Sequence, residues 1–430
     1  MSKPQTELAA ALAGIIGSAN LTANSALRID GHTPALCMKP ASAAETADCL
    51  RVCSEMNITV VPAGRGTWLE CGNPLRRADA VLSLERMNRI IDYSPADLTI
   101  TVEAGMTLRE FNETISRDRL WLPLDPPGAK AASIGAIIAC NSSGALRCGY
   151  GTPRDYLIGL KLAHADGSQS KSGGRVVKNV AGYDLNKLYV GSYGTLAVIT
   201  EATFKLRPLP EKRLTVALTA KKTERLTAIA RQGQAAELQP AAFVLTSMRF
   251  EEWFGPEQGF ETVLFRFADN ETTVAYQAEW LRRVWGDEYA CTELSGDDEA
   301  RLWSKICDFD DHSSCAVRLS VPLSSTTATY DYLLSEGDCR ITADLGSGII
   351  QAAWNGRDDA AIALIDLINR QRAAAHRFGG TLFVDKAATL VRQQVGAWGE
   401  VGAGERLMKA VKEKFDPQGI LNPGRFVAGI

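Results

Sequence analysis

GRVVKNVAGYDLNKLYVGSYGTLAVITEATFKLRPLP, residues 174–210, decides how the chain is read. Its second half, Leu196–Leu206, alternates in the period of a long strand. Arg207-Pro-Leu-Pro-Glu211 then breaks that strand, because prolines fix φ and remove ladder donors, and the break predicts a domain boundary. The first half reads as a loop whose glycines permit close approach, with Lys178 and Asp184 as positioning residues. Alone, those loop residues identify no ligand.

Working back toward the N-terminus, Ser42-Ala-Ala-Glu45 is a capping box that predicts a helix to about Met56. Ile58–Pro62 reads as a short strand running into the loop Ala63-Gly-Arg-Gly-Thr67. Further strands are expected at Ala80–Leu84, Arg89–Tyr93, Leu98–Ala104 and Ile158–Ala165, the last closed by an Asp166-Gly167 turn. Thr107-Leu-Arg-Glu110 is a second capping box, opening a helix that ends near Asp118. Beyond the boundary the order changes. Leu214–Leu218, Thr223–Arg231, Ala242–Leu245, Thr262–Phe267, Glu271–Val284 and a strand near Tyr289 give β-α-β-β-α-β, the ferredoxin-like order. Ala316–Val321, Thr326–Leu334, Arg340–Asp344, Gly348–Ala353, Asp358–Phe378 and Thr381–Val384 repeat it. Gly404–Phe415 reads as a last amphipathic helix before a turn-rich tail, Asp416–Gly424.

Composition excludes several classes. Net charge is −3 with both signs mixed, so no basic footprint exists for phosphate-rich nucleic acid. Ten cysteines contain no CxxC pair, which reads as reduced thiols with no iron–sulfur cluster on this chain. Four scattered histidines predict no metal site. No apolar run reaches the ~18 residues of a membrane span. Leu8–Ile16 is apolar enough to resemble a signal core, but Glu7 precedes it and Lys3 is the only basic residue, so it is read as a helix. There is no Gly-x-Gly-x-x-Gly after a strand, no Walker loop, no Gly-x-Ser-x-Gly elbow and no His-Glu-x-x-His.

Glycine-rich and small-residue segments remain. Gly64 and Gly66 let Pro62–Thr67 turn sharply and present successive N–H groups as an anion nest, with Arg65 pointing outward or toward phosphate; a plain βα turn reads the same. In Pro126-Pro-Gly-Ala-Lys-Ala-Ala-Ser-Ile-Gly-Ala136, small residues leave room for something flat beside the backbone, and Ser133 can cap a helix aimed at a pyrophosphate. A small-residue helix packed closely on a sheet is the alternative.

Together these segments resemble the FAD-binding domain of the vanillyl-alcohol-oxidase (PCMH-type) superfamily, over about residues 30–210 plus the tail Asp416–Gly424. Residues 174–210 resemble the FAD-binding subunits of bacterial glycolate oxidase complexes more than free-standing D-lactate dehydrogenases. The resemblance implies an α+β chain. A PCMH-type FAD-binding domain of two α/β subdomains (1–210) precedes a ferredoxin-like α+β cap domain (211–403), and the C-terminal helix and tail (404–430) return to the FAD domain. It implies that Pro62, Ala63, Gly64, Arg65, Gly66 and Thr67 line the pyrophosphate. Pro127, Ser133, Gly135 and Ala136 would form the turn meeting the cofactor, with Asn141, Ser143 and Gly144 beside the flavin. Ile199 would contact the adenine end, and Asn422 would lie in the returning tail. Thr67 stands where some relatives carry a flavin-linking histidine, so FAD is expected to be non-covalent.

The catalytic relatives carry a Gly-Asp-Gly-Asn-x-His segment that this chain lacks; His376 precedes Phe378-Gly379-Gly380 without it. Arg318 could bind a carboxylate and His376 could act as a base, but structural roles are the reading for both, and no catalytic residue is named. The leading expectation is the FAD-binding subunit of a glycolate-oxidising complex, with a second flavin-binding catalytic subunit and an iron–sulfur subunit. That implies a cytoplasmic chain, peripheral at the inner membrane only through partners. The alternatives are a self-sufficient FAD-dependent 2-hydroxy-acid dehydrogenase and a scaffold with a vestigial flavin pocket.

Overall fold

A computed structural model describes residues 3–23, 27–174, 183–221, 226–255, 258–310, 313–337, 339–355 and 361–430. Lys178 and His312 lie outside the described residues. The chain forms two compact units: one gathers 1–142, 152–209 and 400–430, the other 143–151 and 210–399.

The first unit contains strands β1 (Leu21–Ala23), β2 (Leu36–Met38), β3 (Val60–Ala63), β4 (Ala80–Ser83), β5 (Ile90–Ser94), β6 (Thr99–Glu103), β7 (Leu120–Trp121), β8 (Leu157–Ala163), β9 (Gln169–Gly173), β10 (Val198–Lys205) and β11 (Arg207–Pro208). They make a four-stranded sheet in the order β1-β2-β4-β3 and a five-stranded sheet in the order β5-β6-β10-β8-β9, while β7 and β11 pair alone. β2, β4 and β3 run parallel, whereas the larger sheet is antiparallel throughout. One of the two expected capping boxes closes. At helix Ala43–Glu55 Ser42 Oγ accepts the Glu45 N–H at 3.1 Å, but the Glu45 carboxylate takes the N–H of Ala41, at 2.8 Å, instead of that of Ser42. Thr107 and Glu110 complete the reciprocal box for helix Leu108–Ile115, whose Leu108, Phe111 and Ile115 recur at helical spacing and are buried. Phe111 meets Phe204 of β10 edge-on at 5.8 Å, so Phe111→Ala would cost about 3–5 kcal/mol.

The second unit is one eight-stranded sheet of β12 (Lys212–Lys221), β13 (Ala242–Thr246), β14 (Gln258–Asp269), β15 (Ala290–Leu294), β16 (Cys315–Ser320), β17 (Arg340–Asp344), β18 (Ile349–Trp354) and β19 (Thr381–Lys386). Its order, β15-β12-β14-β13-β17-β18-β16-β19, is two ferredoxin-like modules, each reading fourth-first-third-second strand from its outer edge inward. They join where the equivalent strands β13 and β17 pair antiparallel, Leu245 opposite Ala343. Strand alternation sorts the core. Val216, Phe265, Val317 and Ile350 face the helices Thr227–Ala235, Glu271–Trp285, Thr326–Ser335 and Ala361–Arg377, while Ala217, Val244 and Leu264 face Leu302, Trp303 and Ile306 of helix Gly296–Cys307.

Three departures from the sequence reading have physical causes. The helix expected over Thr223–Arg231, whose first residue lies outside the described residues, runs over Thr227–Ala235, and Leu226 N–H is held at 2.6 Å by the buried Glu261 carboxylate just ahead of it. Residues 143–151 belong to the second unit, because Gly149 N–H donates to Ala241 O at 3.1 Å and the Tyr150 hydroxyl donates to Ala268 O at 3.2 Å. Helix Gly296–Cys307 was not expected; Asp297, Asp298 and Glu299 fill its first turn, where carboxylates favour the positive dipole end.

Candidate cofactor groove

A groove of about 760 Å³, open mouth included, is cut into the first unit. Its floor begins where β3 ends. Ala63 O accepts Leu84 N–H at 2.8 Å, fixing the exit of the strand, and the chain then turns through Gly64–Thr67. Ser83 Oγ holds Gly64 O at 3.1 Å from the neighbouring strand. Across the turn stands Ser133, fully buried, the N-cap of helix Ile134–Cys140. The two segments touch so closely that a Cβ on Gly64 would lie 1.8 Å from Ser133 Oγ and 2.6 Å from its Cβ. Only glycine fits there.

The third wall is the strand residues Ala197, Val198 and Ile199 with Tyr193 and Gly194 ahead of them. The fourth is the tail. Ile420 O accepts Val60 N–H at 2.8 Å and Asn422 N–H reaches Val60 O at 3.1 Å, so the tail pairs with β3. Asn422 Nδ2 donates to Tyr193 O at 2.8 Å, locking the tail to the third wall. Beneath it the Lys412 ammonium donates to Thr195 O and Leu421 O, at 2.8 and 2.9 Å, and pairs with the buried Asp416 carboxylate. Burial holds the Lys412 pKa below the usual lysine range, opposed by Asp416.

The groove suits a long, flat, anionic group. Its walls are largely small and apolar: Val61, Leu84, Ala104, Ala136 and Ala139. Arg425 is the one charged side chain among the described lining residues, and its guanidinium pairs with the buried Asp30 carboxylate at 2.8 Å. Anion binding therefore falls to neutral donors. The backbone N–H groups of Gly64, Arg65, Gly66 and Thr67 donate to no acceptor among the described residues. By contrast, the helix start is capped as the sequence predicts, yet its first amides are spent: Ile134 N–H goes to Met106 O and Gly135 N–H to Ala104 O, both at 2.8 Å. Asn422 Oδ1 is buried in the lining with no partner among the described residues, a vacant acceptor awaiting a donor. Free amides, an apolar slot and a vacant acceptor fit a dinucleotide with a pyrophosphate at its middle.

Of the residues singled out from sequence, Pro62, Ala63, Gly64, Gly66, Thr67, Ser133, Gly135, Ala136, Ile199 and Asn422 line the groove. Arg65, Pro127, Asn141, Ser143 and Gly144 do not. Arg65 turns to Glu110, at 3.4 Å. Asn141 takes a left-handed φ of 49° to end the helix after Cys140, and Ser143 and Gly144 belong to the second unit. Asp184 pairs with Lys187 at 2.9 Å. Sequence reasoning missed Trp68, Leu69, Tyr193, Gly194 and Arg425. In the second unit Arg318 is bound to Asp385 at 3.1 Å and stacks over Phe383, while His376 is exposed on its helix. Among the described residues no group of histidine, cysteine and carboxylate side chains could hold a metal, and no helix is long and apolar enough to cross a membrane.

Residues 34–173 match the model of an FAD binding domain. The chain is 38% identical over 183 residues to glycolate oxidase subunit GlcD of Bacillus subtilis, an alignment covering 43% of this chain and 39% of that one. It is 27% identical over 426 residues to the mitochondrial D-lactate dehydrogenase [cytochrome] of Arabidopsis thaliana, covering 92% and 74%. The structure of p-cresol methylhydroxylase superposes over 99% of this chain and 97% of its own with a TM-score of 0.75 at 13% identity, a likeness of fold. The chain has the PCMH-type FAD-binding fold with a ferredoxin-like α+β companion, and FAD is its cofactor.

Proposed function

We propose, from an FAD-binding domain whose groove offers free amides at Gly64–Thr67, that this chain is an FAD-dependent oxidoreductase of small 2-hydroxy acids. The groove residues named above would hold the cofactor, without a covalent link because Thr67 offers no flavin-linking imidazole. FAD supplies, when bound, a two-electron acceptor for the hydrogen on the carbinol carbon. The chain's own part is to anchor: Gly64–Thr67 amides on the pyrophosphate, and Asn422 Oδ1 as an acceptor for a cofactor donor. The observation that carries the proposal is the set of unspent amides at Gly64, Gly66 and Thr67, which line a slot with no unpaired charge.

Within that class we place the chain as the FAD-binding subunit of a glycolate-oxidising assembly, with a second flavin-binding subunit and an iron–sulfur subunit as partners. Two features support this. The chain is 38% identical to a glycolate oxidase subunit over 183 residues, and the histidine segment of catalytic relatives is missing from the sequence. A self-sufficient D-2-hydroxy-acid dehydrogenase is the second reading, favoured by an alignment over 92% of the chain to a D-lactate dehydrogenase.

The visible spectrum of the purified chain, before and after denaturation, tests the first step. Flavin bands that pass into the supernatant on unfolding are expected; a chain that stays colourless with added FAD would sink the proposal. Glycolate and D-lactate are then offered to the chain alone with a dye acceptor. Flavin that neither substrate bleaches fits the subunit reading, whereas sustained turnover without partners selects the self-sufficient enzyme.

A further inference from the structure

The tail residues 416–426 do more than add one wall. Arg425 spreads its guanidinium across three acceptors: Asp30 at 2.8 Å, Asn73 O at 2.9 Å and Leu69 O at 2.6 Å. Asn73 answers twice, its N–H donating to Arg425 O at 2.9 Å and its Nδ2 to Phe426 O at 2.9 Å, while Arg76 N–H donates to Pro423 O at 2.8 Å. The same tail holds Val60 at the start of β3 and Tyr193 on the opposite wall. A segment from the far end of the chain thus ties β3, residues 69–76 and Tyr193 together around the groove.

Asp30 cancels the charge of Arg425, so the fork acts mechanically. A planar guanidinium meets a carboxylate and two carbonyls from two nitrogens held about 2.3 Å apart in one plane, whereas an ammonium such as that of Lys412 must gather its acceptors around a single nitrogen. Leu69 and Trp68 follow Thr67 directly and line the groove, so the grip on Leu69 O sets where the amide-bearing turn lies.

We propose that Arg425 is a positioning residue for the cofactor-binding turn, and that the 416–426 tail is a latch whose seating and FAD binding reinforce each other. Coupling of this kind is reciprocal: whatever factor the seated tail adds to FAD affinity, bound FAD adds to tail seating. The inference rests on the groove being the FAD site.

Two measurements test it. In the unaltered full chain, hydrogen exchange at Val60, Asn73, Arg76 and Asn422 is followed with and without FAD. These amides donate between the tail and the segments it holds, to Ile420 O, Arg425 O, Pro423 O and Val60 O, so they are bonded only while the tail is seated. Exchange slowed at least tenfold by FAD is expected. If FAD slows exchange in 64–69 but leaves these four amides unchanged, the latch fails and the groove assignment stands. If FAD protects neither, both fall. The second measurement compares Arg425→Ala with Arg425→Lys by FAD fluorescence titration and thermal melting. Lysine keeps a cation opposite Asp30 but loses the fork. A purely structural charge would be rescued in both readouts. The latch predicts a melting midpoint recovered by Arg425→Lys with FAD binding still weakened about tenfold, and wild-type FAD affinity in Arg425→Lys would overturn it.

Discussion

Gly64→Ala is the sharpest test of the groove. The new methyl carbon would lie 1.8 Å from Ser133 Oγ and 2.6 Å from Ser133 Cβ. Rotating the hydroxyl away relieves the first contact, but the Cβ is fixed by the backbone. Ser133 cannot retreat, because Ile134 and Gly135 are bonded to Met106 and Ala104 and Ser133 itself bridges Thr107. The turn must move instead, carrying the four free amides with it. Overpacking of this kind costs about 1–3 kcal/mol. If that strain is relieved in the cofactor-free chain and must be restored on binding, FAD affinity falls by roughly 5- to 150-fold at 1.36 kcal/mol per decade. Ser133→Gly removes both offending atoms, and glycine replaces serine at an N-cap for only a few tenths of a kcal/mol. The double variant should therefore bind FAD within about threefold of Ser133→Gly alone, a coupling that a double-mutant cycle reads directly. Flavin fluorescence titration of the four proteins is the assay. A double variant as weak as Gly64→Ala would mean that the contact with Ser133 is not what glycine protects.

Two further outcomes follow from buried groups and a third from an exposed one. Lys412→Met leaves Asp416 as an uncompensated buried carboxylate, and should cost about 3–5 kcal/mol of unfolding free energy in a urea titration; a loss under about 1 kcal/mol would show the pair to be dispensable. Asp344, nine-tenths buried in the β17–β18 turn, has its pKa pushed up to about 6 by burial, against its Ser347 and Gly346 hydrogen bonds and the charge of Arg147. A carboxyl raised in the folded state from an ordinary 3.8 favours folding at low pH and loses that contribution as pH rises from about 4 through 6. Asp344→Asn should flatten the stability profile of the chain across that window, and an unchanged wild-type slope in the variant would refute the assignment. His376→Ala, at an exposed helix position, should leave FAD affinity and dye-linked turnover within twofold of wild type; loss of turnover with FAD retained would restore His376 as a base.

The sequence carried local grammar well. Ser42 with Glu45 and Thr107 with Glu110 opened helices where their spacing said, and the doubled β-α-β-β-α-β order became one eight-stranded sheet. Short or polar elements escaped. β1 and β2 are three residues each, too brief for alternation to register, and their stability comes from neighbours rather than from their own pattern. Gly296–Cys307 begins with three acidic residues that look like a loop until Ser295 is read as its N-cap position. In the groove, the glycines stood out because a close approach restricts residue type. Trp68, Leu69 and Tyr193 carry no such mark.

Arg425 shows why. It is one cation in a chain with 47 lysines and arginines, and its partner carbonyls at Leu69 and Asn73 are separated from it by 356 and 352 positions. Backbone carbonyls have no residue type, so no pattern at positions 69 and 73 could announce an acceptor for a distant guanidinium. Asp30 is no clearer in the sequence: its burial is a product of the fold, and only there does its carboxylate call for a partner such as Arg425. That partner is a residue that folding brings back from the far end of the chain. A groove closed by such a return is assembled last along the sequence, so its cofactor affinity should depend on the final fifteen residues as strongly as on the glycine-rich turn that first pointed to it.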